Sequence, residues 1–324
     1  MFAWTRAVVR NSLSVSKAQC RLYASGKAKK RGPHPTVKYP LTSDMMMRNT
    51  MDFLYGMQPV LAALSQGTRQ IYGLYVQHQR EGDAPAPERM QALELAARQD
   101  IPVKHVPRDL LDRMSLGNLH QGIVLKADQL AADECKQLGP LADSQYWVEV
   151  QTTRTQLTPQ RPFPLWVLVD RVQDPRNLGS IVRSAAFFGA DGLVASRKDS
   201  CVPNAVVAKA SAGALEATRF LRCRNVDRFV EKSRENGWLV VSAAVGGLGD
   251  PRVATVGGMG EIDRPVLLVL GNEGGGVRSS VLDMSHVLLS IPMRSELPRY
   301  LDSLNVGVAA GVILSSLRFK GEES

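Results

Sequence analysis

The chain has 324 residues, with 40 Lys and Arg against 31 Asp and Glu and a formal net charge of +9. Its content of 44% hydrophobic and 22% charged residues is that of a globular protein and excludes a disordered or fibrous chain. The four cysteines are scattered without metal-ligand spacing, so neither a disulfide scaffold nor a zinc module is expected. No apolar run reaches the length of a membrane span.

The excess of positive charge lies entirely in the first 43 residues, which contain nine Lys and Arg and no acid. The rest of the chain has 31 cations and 31 acids. A segment that contains Arg and Ser and lacks acids is typical of a mitochondrial transit peptide. We therefore expect residues 1–42 to be a cleavable transit peptide with a basic tail, and the protein to act in the mitochondrial matrix. The alternative is a disordered basic arm that contacts RNA.

Helical and strand-like patterns alternate along the first half of the chain. Helices are predicted at 59–64 and 88–99, and strands at 71–77, 101–106 and 120–127. This order predicts a small α/β domain over 43–127, with a parallel or mixed sheet. Residues 128–163 have weaker periodicity and are predicted to form a linker or insertion.

The second half, 164–324, has the pattern of an α/β domain whose sheet is buried on both faces. We expect Asn177 and Ser303 to cap the helices that they precede. Ligands of such sheets bind at the carboxyl ends of strands, so a site is predicted in the loops after 170, 270 and 291. Strands are predicted at 165–170, 191–195, 238–245, 265–271 and 286–293, and helices at 177–188, 226–236 and 304–317.

Common enzyme motifs are missing from these loops. The glycine-rich run 271–276 is not a phosphate-binding P-loop, because Val277 stands where that motif requires Lys. A single glycine, Gly179, follows the strand that ends at Asp170, which is too few for a dinucleotide fingerprint. The five histidines lack metal-pair spacing, so no metal is expected. Amides, glycines, an Arg and a Glu remain, and these suit the positioning of a polar ligand by hydrogen bonds.

The three loops carry three motifs in order, each after a predicted strand. They read Asn177-Leu-Gly179-Ser-Ile-Val-Arg183, then Leu270-Gly-Asn-Glu-Gly-Gly-Gly276, then Ile291-Pro-Met293 followed by Ser303-Leu-Asn-Val306. Together they resemble the motifs of the SpoU group of SPOUT RNA methyltransferases. The stretches 55–60 and 118–122 resemble the ends of the small domain that precedes the catalytic domain in members acting on ribosomal RNA. That domain is similar to an RNA-binding ribosomal protein.

The resemblance implies methyl transfer from S-adenosylmethionine to a ribose 2′-hydroxyl. Together with the transit peptide, it implies a guanosine of mitochondrial large-subunit rRNA as the substrate. It also implies a C-terminal trefoil knot that holds the cofactor, and a homodimer formed through the knotted domain. The cofactor contacts that carry over are Gly271, Ile291 and Leu304, with Leu270, Asn272 and Met293 nearby.

The same resemblance implies Arg183 as the main catalytic residue. Because Arg stays protonated, its physical role would be to pair with a phosphate and to stabilise the forming alkoxide. Asn177 and Asn305 would orient the ribose or hold the loops, and Ser303 would cap the last helix. Glu273 would fix its own loop or Arg183 rather than act as a base. The residues expected to grip RNA phosphates are Arg171, Arg176, Arg294 and Arg299, with Arg48, Arg113 and Gln121 as further candidates.

Some questions stay open at this point. The stretch 294–302 is longer than the short loop usual in bacterial members, which leaves the geometry on the cofactor side undefined. One alternative function is an rRNA-binding ribosome assembly factor with dispensable activity. A methyltransferase that acts on tRNA is a second alternative, because only analogy connects the N-terminal domain to rRNA.

Overall fold

The computed structural model of the protein describes residues 51–79, 86–244, 249–293 and 303–319. The predicted transit peptide, Arg48, Arg294, Arg299 and the rest of the loop 294–302 lie outside the described residues. Within the described part, no helix combines the length and the apolar character that crossing a membrane requires.

The N-terminal domain is a mixed four-stranded sheet with helices packed against it. The strand order is β1-β4-β2-β3. Strand β4 runs antiparallel to β1 and β2, and β2 runs parallel to β3, which confirms the predicted mixed sheet. The strands are β1 (Met51–Tyr55), β2 (Ile71–Gln77), β3 (Val103–Val106) and β4 (Ile123–Asp128), and the helices are α1 (Met57–Gln66), α2 (Pro87–Arg98) and α3 (Arg108–Met114).

The segment predicted to be a linker or insertion contains a three-stranded antiparallel sheet. Its middle strand contributes Tyr146, whose hydroxyl accepts a hydrogen bond of 2.9 Å from Trp166 Nε1, and Tyr146 packs edge-on against Trp238. The segment is therefore folded onto the C-terminal domain. Short strands with one exposed face leave little periodicity in the sequence, which explains the weak pattern. The strands are β5 (Cys135–Leu138), β6 (Tyr146–Val150) and β7 (Thr153–Leu157).

The C-terminal domain is built on seven parallel strands in the order β10-β9-β8-β13-β11-β14-β12. Every residue of β8, β9 and β13 is buried, which is why these strands are unbroken apolar runs. The predicted sheet, buried on both faces, is thus confirmed. The strands are β8 (Leu165–Val169), β9 (Gly192–Ser196), β10 (Phe220–Cys223), β11 (Leu239–Ala243), β12 (Val253–Thr255), β13 (Val266–Leu270) and β14 (Val287–Ser290).

Six helices accompany this sheet in the described part of the chain, and two of them begin differently from the prediction. The helix expected to begin at Asn177 begins at Pro175, and its cap is Asp174, whose carboxylate accepts a 2.7 Å hydrogen bond from the amide of Arg176. Proline at the first helical position fits this start, because its missing N–H is not needed there. The helices are α4 (Pro175–Phe187), α5 (Ala205–Ala210), α6 (Ala214–Ala217), α7 (Val226–Glu235), α8 (Ser279–Met284) and α9 (Val306–Phe319).

The last helix, α9, has Asn305 rather than Ser303 at its start. Asn305 Oδ1 accepts hydrogen bonds from the amides of Gly307 at 2.9 Å and Val308 at 3.4 Å, which is the geometry of a helix cap. The prediction that Ser303 caps this helix is therefore wrong by two residues. Both positions are polar, and the sequence pattern alone does not distinguish them.

A buried ion-pair cluster joins the two domains. Arg69, between α1 and β2, donates from Nη2 and Nε to the carboxylate of Glu216 on α6, at 2.7 Å and 2.8 Å. Its Nη1 lies 2.8 Å from Asp52 Oδ2, and the side chains of Arg69 and Glu216 are fully buried. Near this cluster, a Cβ added to Gly213 would lie 2.8 Å from the carbonyl oxygen of Gln58, so the backbones of the two domains approach each other closely here. They are packed as one body at this junction.

Candidate active site

Two of the three predicted loops leave the sheet from adjacent strand ends. Strands β8 and β13 are neighbours, with Val169 opposite Leu270, and the amide of Asp170 donates a 2.8 Å hydrogen bond to the carbonyl of Leu270. After β8 the chain continues to one side of this pair, whereas β11, β14 and β12 lie on the other side. The point where a parallel sheet divides in this way is where such sheets bind ligands.

The loop after β13 folds back on itself in a tight turn. Asn272 Oδ1 accepts from the amide of Gly275 at 2.6 Å, and its carbonyl oxygen accepts from Gly276 at 3.0 Å. Gly271 is buried beneath this turn, and a Cβ at this position would collide with the backbone of Gly276 and Val277. Gly271 is therefore required by the close approach of the returning chain.

Arg278, which the sequence did not single out, anchors the end of this loop. Its Nε and Nη2 form hydrogen bonds of 2.8 Å and 2.5 Å with the two carboxylate oxygens of Asp170, which is fully buried at the end of β8. The hydrogen bond to Asp170 raises the pKa of Arg278, so this bidentate pair stays charged. The partners are 108 residues apart in the chain, and no local pattern could have indicated the pair.

Arg171 belongs to the same cluster, and its expected contact with an RNA phosphate stays a prediction. Its Nε lies 3.4 Å from Asp170 Oδ2, and its Nη2 donates to the carbonyl of Gly276 at 3.3 Å. Its backbone has a φ of +59°, a left-handed conformation that is costly for a residue with a side chain. The structure thus places Arg171 as a brace between the first and second loops.

A chain of hydrogen-bonded amides crosses from the second loop to the third. Asn177 Nδ2 donates to Glu273 Oε1, and Asn305 Nδ2 donates to Asn177 Oδ1 at 3.0 Å. Asn305 Oδ1 in turn accepts from the start of α9. The three motifs noted in the sequence therefore meet through Glu273, Asn177 and Asn305. Because Glu273 accepts from Asn177, its role in this geometry is to orient that amide.

Helices α4 and α9 cross closely behind this chain of amides. A Cβ at Gly307 would lie 2.7 Å from Ser180 Oγ, and one at Gly311 would lie 3.6 Å from Ser184 Oγ. Small residues four apart on both helices let the backbones approach, so the helix that carries Asn177 is fixed against the helix that follows Asn305. Position 307 in particular requires glycine.

Two cations of α4, the helix that carries Asn177, lack a carboxylate partner among the described residues. Arg176 and Arg183 are seven residues apart, about two helical turns, and therefore share one face of α4. Both are exposed, and no ion pair with another described residue neutralises either of them. Burial raises the pKa of Tyr55 in the N-terminal domain. The charge of Arg176 is close enough to offset part of this increase.

The residues expected to contact a cofactor fall into two groups. Leu270 and Gly271 are buried at the end of β13, and Asn272 is partly buried in the turn above them. Ile291 is half-buried against the main core, whereas Met293 and Leu304, on either side of the stretch 294–302, are 55% and 50% exposed. Ser303 is also exposed. The first group is thus buried or partly buried at or just below the turn after β13, whereas the second includes exposed apolar side chains in the third loop.

Another cation that the sequence did not single out, Lys209, lies where the two domains meet. Its Nζ donates a 2.8 Å hydrogen bond to Gln121 Oε1, which also accepts from the amide of Met57 at 3.1 Å. Burial lowers the pKa of Lys209, and no carboxylate among the described residues pairs with it. In the part of the chain that the structure describes, no group of His, Cys, Asp and Glu could hold a metal ion.

Two family models match the chain. The model described as the SpoU rRNA Methylase family matches residues 164–315, which include the three loops. The model described as RNA 2′-O ribose methyltransferase substrate binding matches residues 53–132, the N-terminal domain.

Individual relatives are similar over most of the chain. The chain is 35% identical to rRNA methyltransferase 1, mitochondrial, of Homo sapiens, over 86% of this chain and 75% of that protein. It is 32% identical to a putative TrmH family tRNA/rRNA methyltransferase of Bacillus subtilis, over 83% of this chain and 95% of that protein. The fold resembles that of the AdoMet-bound rRNA methyltransferase from Sinorhizobium meliloti, with a TM-score of 0.64 and 22% identity over 88% of this chain and 97% of that one.

Proposed function

Because the chain belongs to the SpoU rRNA methylase family, we propose that this RNA methyltransferase methylates the 2′-hydroxyl of a guanosine ribose in mitochondrial large-subunit rRNA. The observation that carries the proposal is the convergence of Asn177, Glu273 and Asn305, together with Arg183 on the helix of Asn177, a cation without an ion-pair partner among the described residues. All four residues are polar or charged and accessible, and they come from three separate loops or helices. Such an arrangement positions a polar substrate.

The mitochondrial location rests on two independent observations. The first 43 residues have the acid-free, basic composition of a transit peptide. The human relative with 35% identity carries the mitochondrial location in its name. We propose that residues 1–42 direct import and that the balanced remainder of the chain acts in the matrix.

The methyl donor in this proposal is S-adenosylmethionine, which supplies an activated methyl group as a sulfonium. The fit of the loops supports it. The turn over Gly271 brings backbone amides and carbonyls to the end of β13, and Ile291, Met293 and Leu304 provide partly exposed apolar side chains in the third loop. These residues, with Leu270 and Asn272, would hold the donor mainly through backbone and apolar contacts. The fold neighbour from Sinorhizobium meliloti is described as AdoMet-bound.

The chemistry assigned to the protein's own residues is positioning and charge stabilisation. Asn177 and Asn305 would present the ribose, and their orientation is fixed by Glu273 on one side and by the start of α9 on the other. The protonated guanidinium of Arg183 would hold a substrate phosphate and stabilise the 2′-oxygen as it loses its proton. Orientation of this kind contributes much of the acceleration when the methyl group is already activated.

We also propose that the catalytic domain has a trefoil knot at its C-terminal end and that two copies of the chain associate through this domain. The final helix supports association. Val308 and Val312, four residues apart, are 54% and 38% exposed on one face of α9, and Phe187 is exposed at the end of α4. Adjacent exposed apolar side chains of this size are typical of surfaces that bind another protein. A second copy would cover them.

The proposed activity is tested with purified protein, tritiated S-adenosylmethionine and three RNAs transcribed in vitro. These are mitochondrial large-subunit rRNA, mitochondrial small-subunit rRNA and a tRNA pool. We expect tritium label in large-subunit rRNA only. After alkaline hydrolysis the label should remain in a dinucleotide, because a methylated 2′-hydroxyl prevents cleavage at that position. Label confined to tRNA would favour the tRNA alternative, to which the name of the Bacillus subtilis relative also points. RNA binding without label would favour an assembly factor.

A further inference from the structure

We propose that the junction of the two domains is a second contact site for the RNA substrate, where Lys209 binds a backbone phosphate and Leu116 and Leu119 contact the base of an unpaired nucleotide. The proposal rests on the proposed function, because it concerns the substrate of that same site. It assigns roles to three residues that the catalytic motifs do not include.

The loop 115–122 between α3 and β4 is held in one conformation by its own hydrogen bonds. Ser115 Oγ donates to the carbonyl of Asn118 at 2.9 Å, and Asn118 Nδ2 donates back to the carbonyl of Ser115 at 2.8 Å. His120 lies 3.0 Å from Asp112 through Nε2 and accepts from the amide of Gly122 through Nδ1 at 2.9 Å. A loop built in this way presents its side chains in fixed positions.

The side chains that this loop presents are apolar and unprotected. Leu116 is 67% exposed and Leu119 is 72% exposed, the latter the largest exposed fraction among the described large apolar residues. Leu116 also has a φ of +54°, which is unfavourable for a leucine. Because this ordered loop keeps two leucines exposed to water, one of them in a strained conformation, we expect it to bind a partner. Leucine side chains are among those that proteins insert between nucleic-acid bases.

Lys209 supplies the charge at the base of this loop. Gln121, two residues after Leu119, accepts the only hydrogen bond that the ammonium group of Lys209 donates among the described residues. A Cβ on Gly56 would collide with Nζ, so the ammonium group lies directly against the backbone at the end of β1. With two donors left and no carboxylate paired with it in the described part of the chain, the ammonium group suits an anion such as a phosphate.

The junction is connected to the active site through the packing of α4 on α5. A Cβ on Gly179 of α4 would lie 2.9 Å from the carbonyl of Val207 on α5, so the two helices touch at this point. Arg176 and Arg183 lie on α4 three residues before and four residues after Gly179, and Lys209 lies on α5. Arg176 is also close enough to Tyr55, the neighbour of Gly56, for its charge to lower the pKa of that tyrosine in part. The cations thus extend from the catalytic Arg183 to the leucine loop.

Unpaired RNA is the occupant that matches both parts of this surface. A protein partner would cover the leucines but would leave Lys209 and Arg176 without counter-charges, unless it were acidic. A duplex offers phosphates but keeps its bases stacked and inaccessible to Leu116 and Leu119. A strand with an unpaired base next to the methylated ribose satisfies the cations and the leucines together.

The test measures the affinity of the full chain for a fluorescein-labelled, unmethylated fragment of large-subunit rRNA that contains the target guanosine. Binding is measured over a range of salt concentrations. The variants are Lys209→Met, Lys209→Arg and the double variant Leu116→Ser with Leu119→Ser. Lys209→Met should weaken binding and reduce the slope of log affinity against log salt by about one, because one phosphate contact is lost. Lys209→Arg should restore the slope. The leucine variant should bind about tenfold more weakly with an unchanged slope.

Two matched controls separate a specific contact from a general loss of charge or apolar surface. Lys232→Met removes a partly exposed lysine on α7, and Met90→Ser removes a residue that is 46% exposed on α2. Both should bind like the original chain. A perfectly paired duplex of the same length serves as a second probe, and with it the leucine variant should match the original chain. All variants should retain thermal stability, because the altered side chains are exposed or only partly buried.

An unchanged slope in Lys209→Met, or an unchanged affinity in the leucine variant, would overturn the inference while leaving the proposed function intact. If the leucine variant instead changes self-association in sedimentation experiments and binds RNA normally, the loop contacts protein and the inference is also wrong. Failure of the original chain to methylate any RNA would count against the proposed function itself. The two failures are therefore distinguishable.

Discussion

The side-chain amide of Asn305 donates a hydrogen bond of 3.0 Å to Oδ1 of Asn177, across 128 residues of chain. This bond ties the start of the last helix to the first turn of α4. The same Asn305 side chain caps α9 through its oxygen. One residue therefore has a structural role and a role in the site, and the two can be separated by substitution.

Substitution of Asn305 by Asp should abolish most activity without loss of stability. The carboxylate keeps the acceptor for the amide of Gly307 and is favourable at a helix N-terminus. It cannot donate to Asn177, so the orientation of that amide is lost. We expect methyl transfer to fall at least tenfold with an unchanged melting temperature, whereas Asn305→Ala should also lose about 1 kcal/mol of stability.

Asn225→Asp is the matched control for this experiment. Asn225 caps α7 by accepting from the amide of Arg228 at 3.0 Å, and it lies outside the three loops. Its substitution should leave activity and stability unchanged. Normal activity in Asn305→Asp would show that the contact between Asn305 and Asn177 is not used in catalysis.

Substitution of Arg183 by Ala should reduce methyl transfer by about 10²–10³-fold, in the range for loss of one charge-stabilising donor. The side chain is exposed and has no ion-pair partner among the described residues, so folding should not change. Single-turnover methylation and thermal unfolding measure the two effects. Arg228→Ala, an exposed arginine on α7, is the control and should retain full activity. A loss of stability in Arg183→Ala would mean that the residue is structural.

Substitution of Gly271 by Ala should disrupt the turn after β13, because the added methyl group collides with the backbone of Gly276 and Val277. We expect weaker binding of S-adenosylmethionine in calorimetry and a corresponding loss of activity. Gly274→Ala, in the same turn, meets no atom within 4 Å and should bind normally. Equal behaviour of the two variants would argue against the assigned donor site.

Removal of the carboxylate of Glu216 should destabilise the chain strongly. Glu216→Ala leaves the buried guanidinium of Arg69 with a single carboxylate partner, Asp52, and breaking a buried pair in this way typically costs about 3–5 kcal/mol. Urea unfolding measures the loss. Glu94→Ala, which removes an exposed partner of Arg98, should cost less than about 0.5 kcal/mol. A small effect of Glu216→Ala would mean that the domains are not held together by this cluster.

Acidic residues on the exposed face of α9 should dissociate the proposed dimer. Val308→Asp combined with Val312→Asp places charge on the face that a second copy would cover. Sedimentation should show a dimer for the original chain and a monomer for this variant, with lower activity. Val202→Asp, at another exposed valine, should remain dimeric. A monomeric original chain with full activity would contradict the proposed assembly.

Much of the fold could be predicted because buried parallel strands are continuous apolar runs. The apolar runs at β8 and β13 predict these strands to within one residue at each end. They therefore also predict the positions of the loops that come after the strands. Prediction was less accurate where strands were short or where two neighbouring residues were equally good candidates for a helix cap. Asp174 was missed as a cap because Asn177 is also a good capping residue, and the sheet formed by 135–157 was missed because its strands are short and half exposed.

The parts of the fold and of the site that could not be predicted depend on contacts between distant residues. Arg278 pairs with Asp170, Lys209 with Gln121 and Arg69 with Glu216, and each pair is separated by more than 80 residues. No periodicity or spacing records such pairs. The resemblance identified the motifs, but it did not show that Arg171 braces a loop or that Asn305 caps α9.

The most direct test of the central proposal is a map of 2′-O-methylation in mitochondrial RNA from cells of the source organism that lack the protein. We predict the loss of a mark at one guanosine of large-subunit rRNA, restored by the original chain but not by Arg183→Ala. An unchanged set of marks on this rRNA, in cells confirmed to lack the protein, would contradict it.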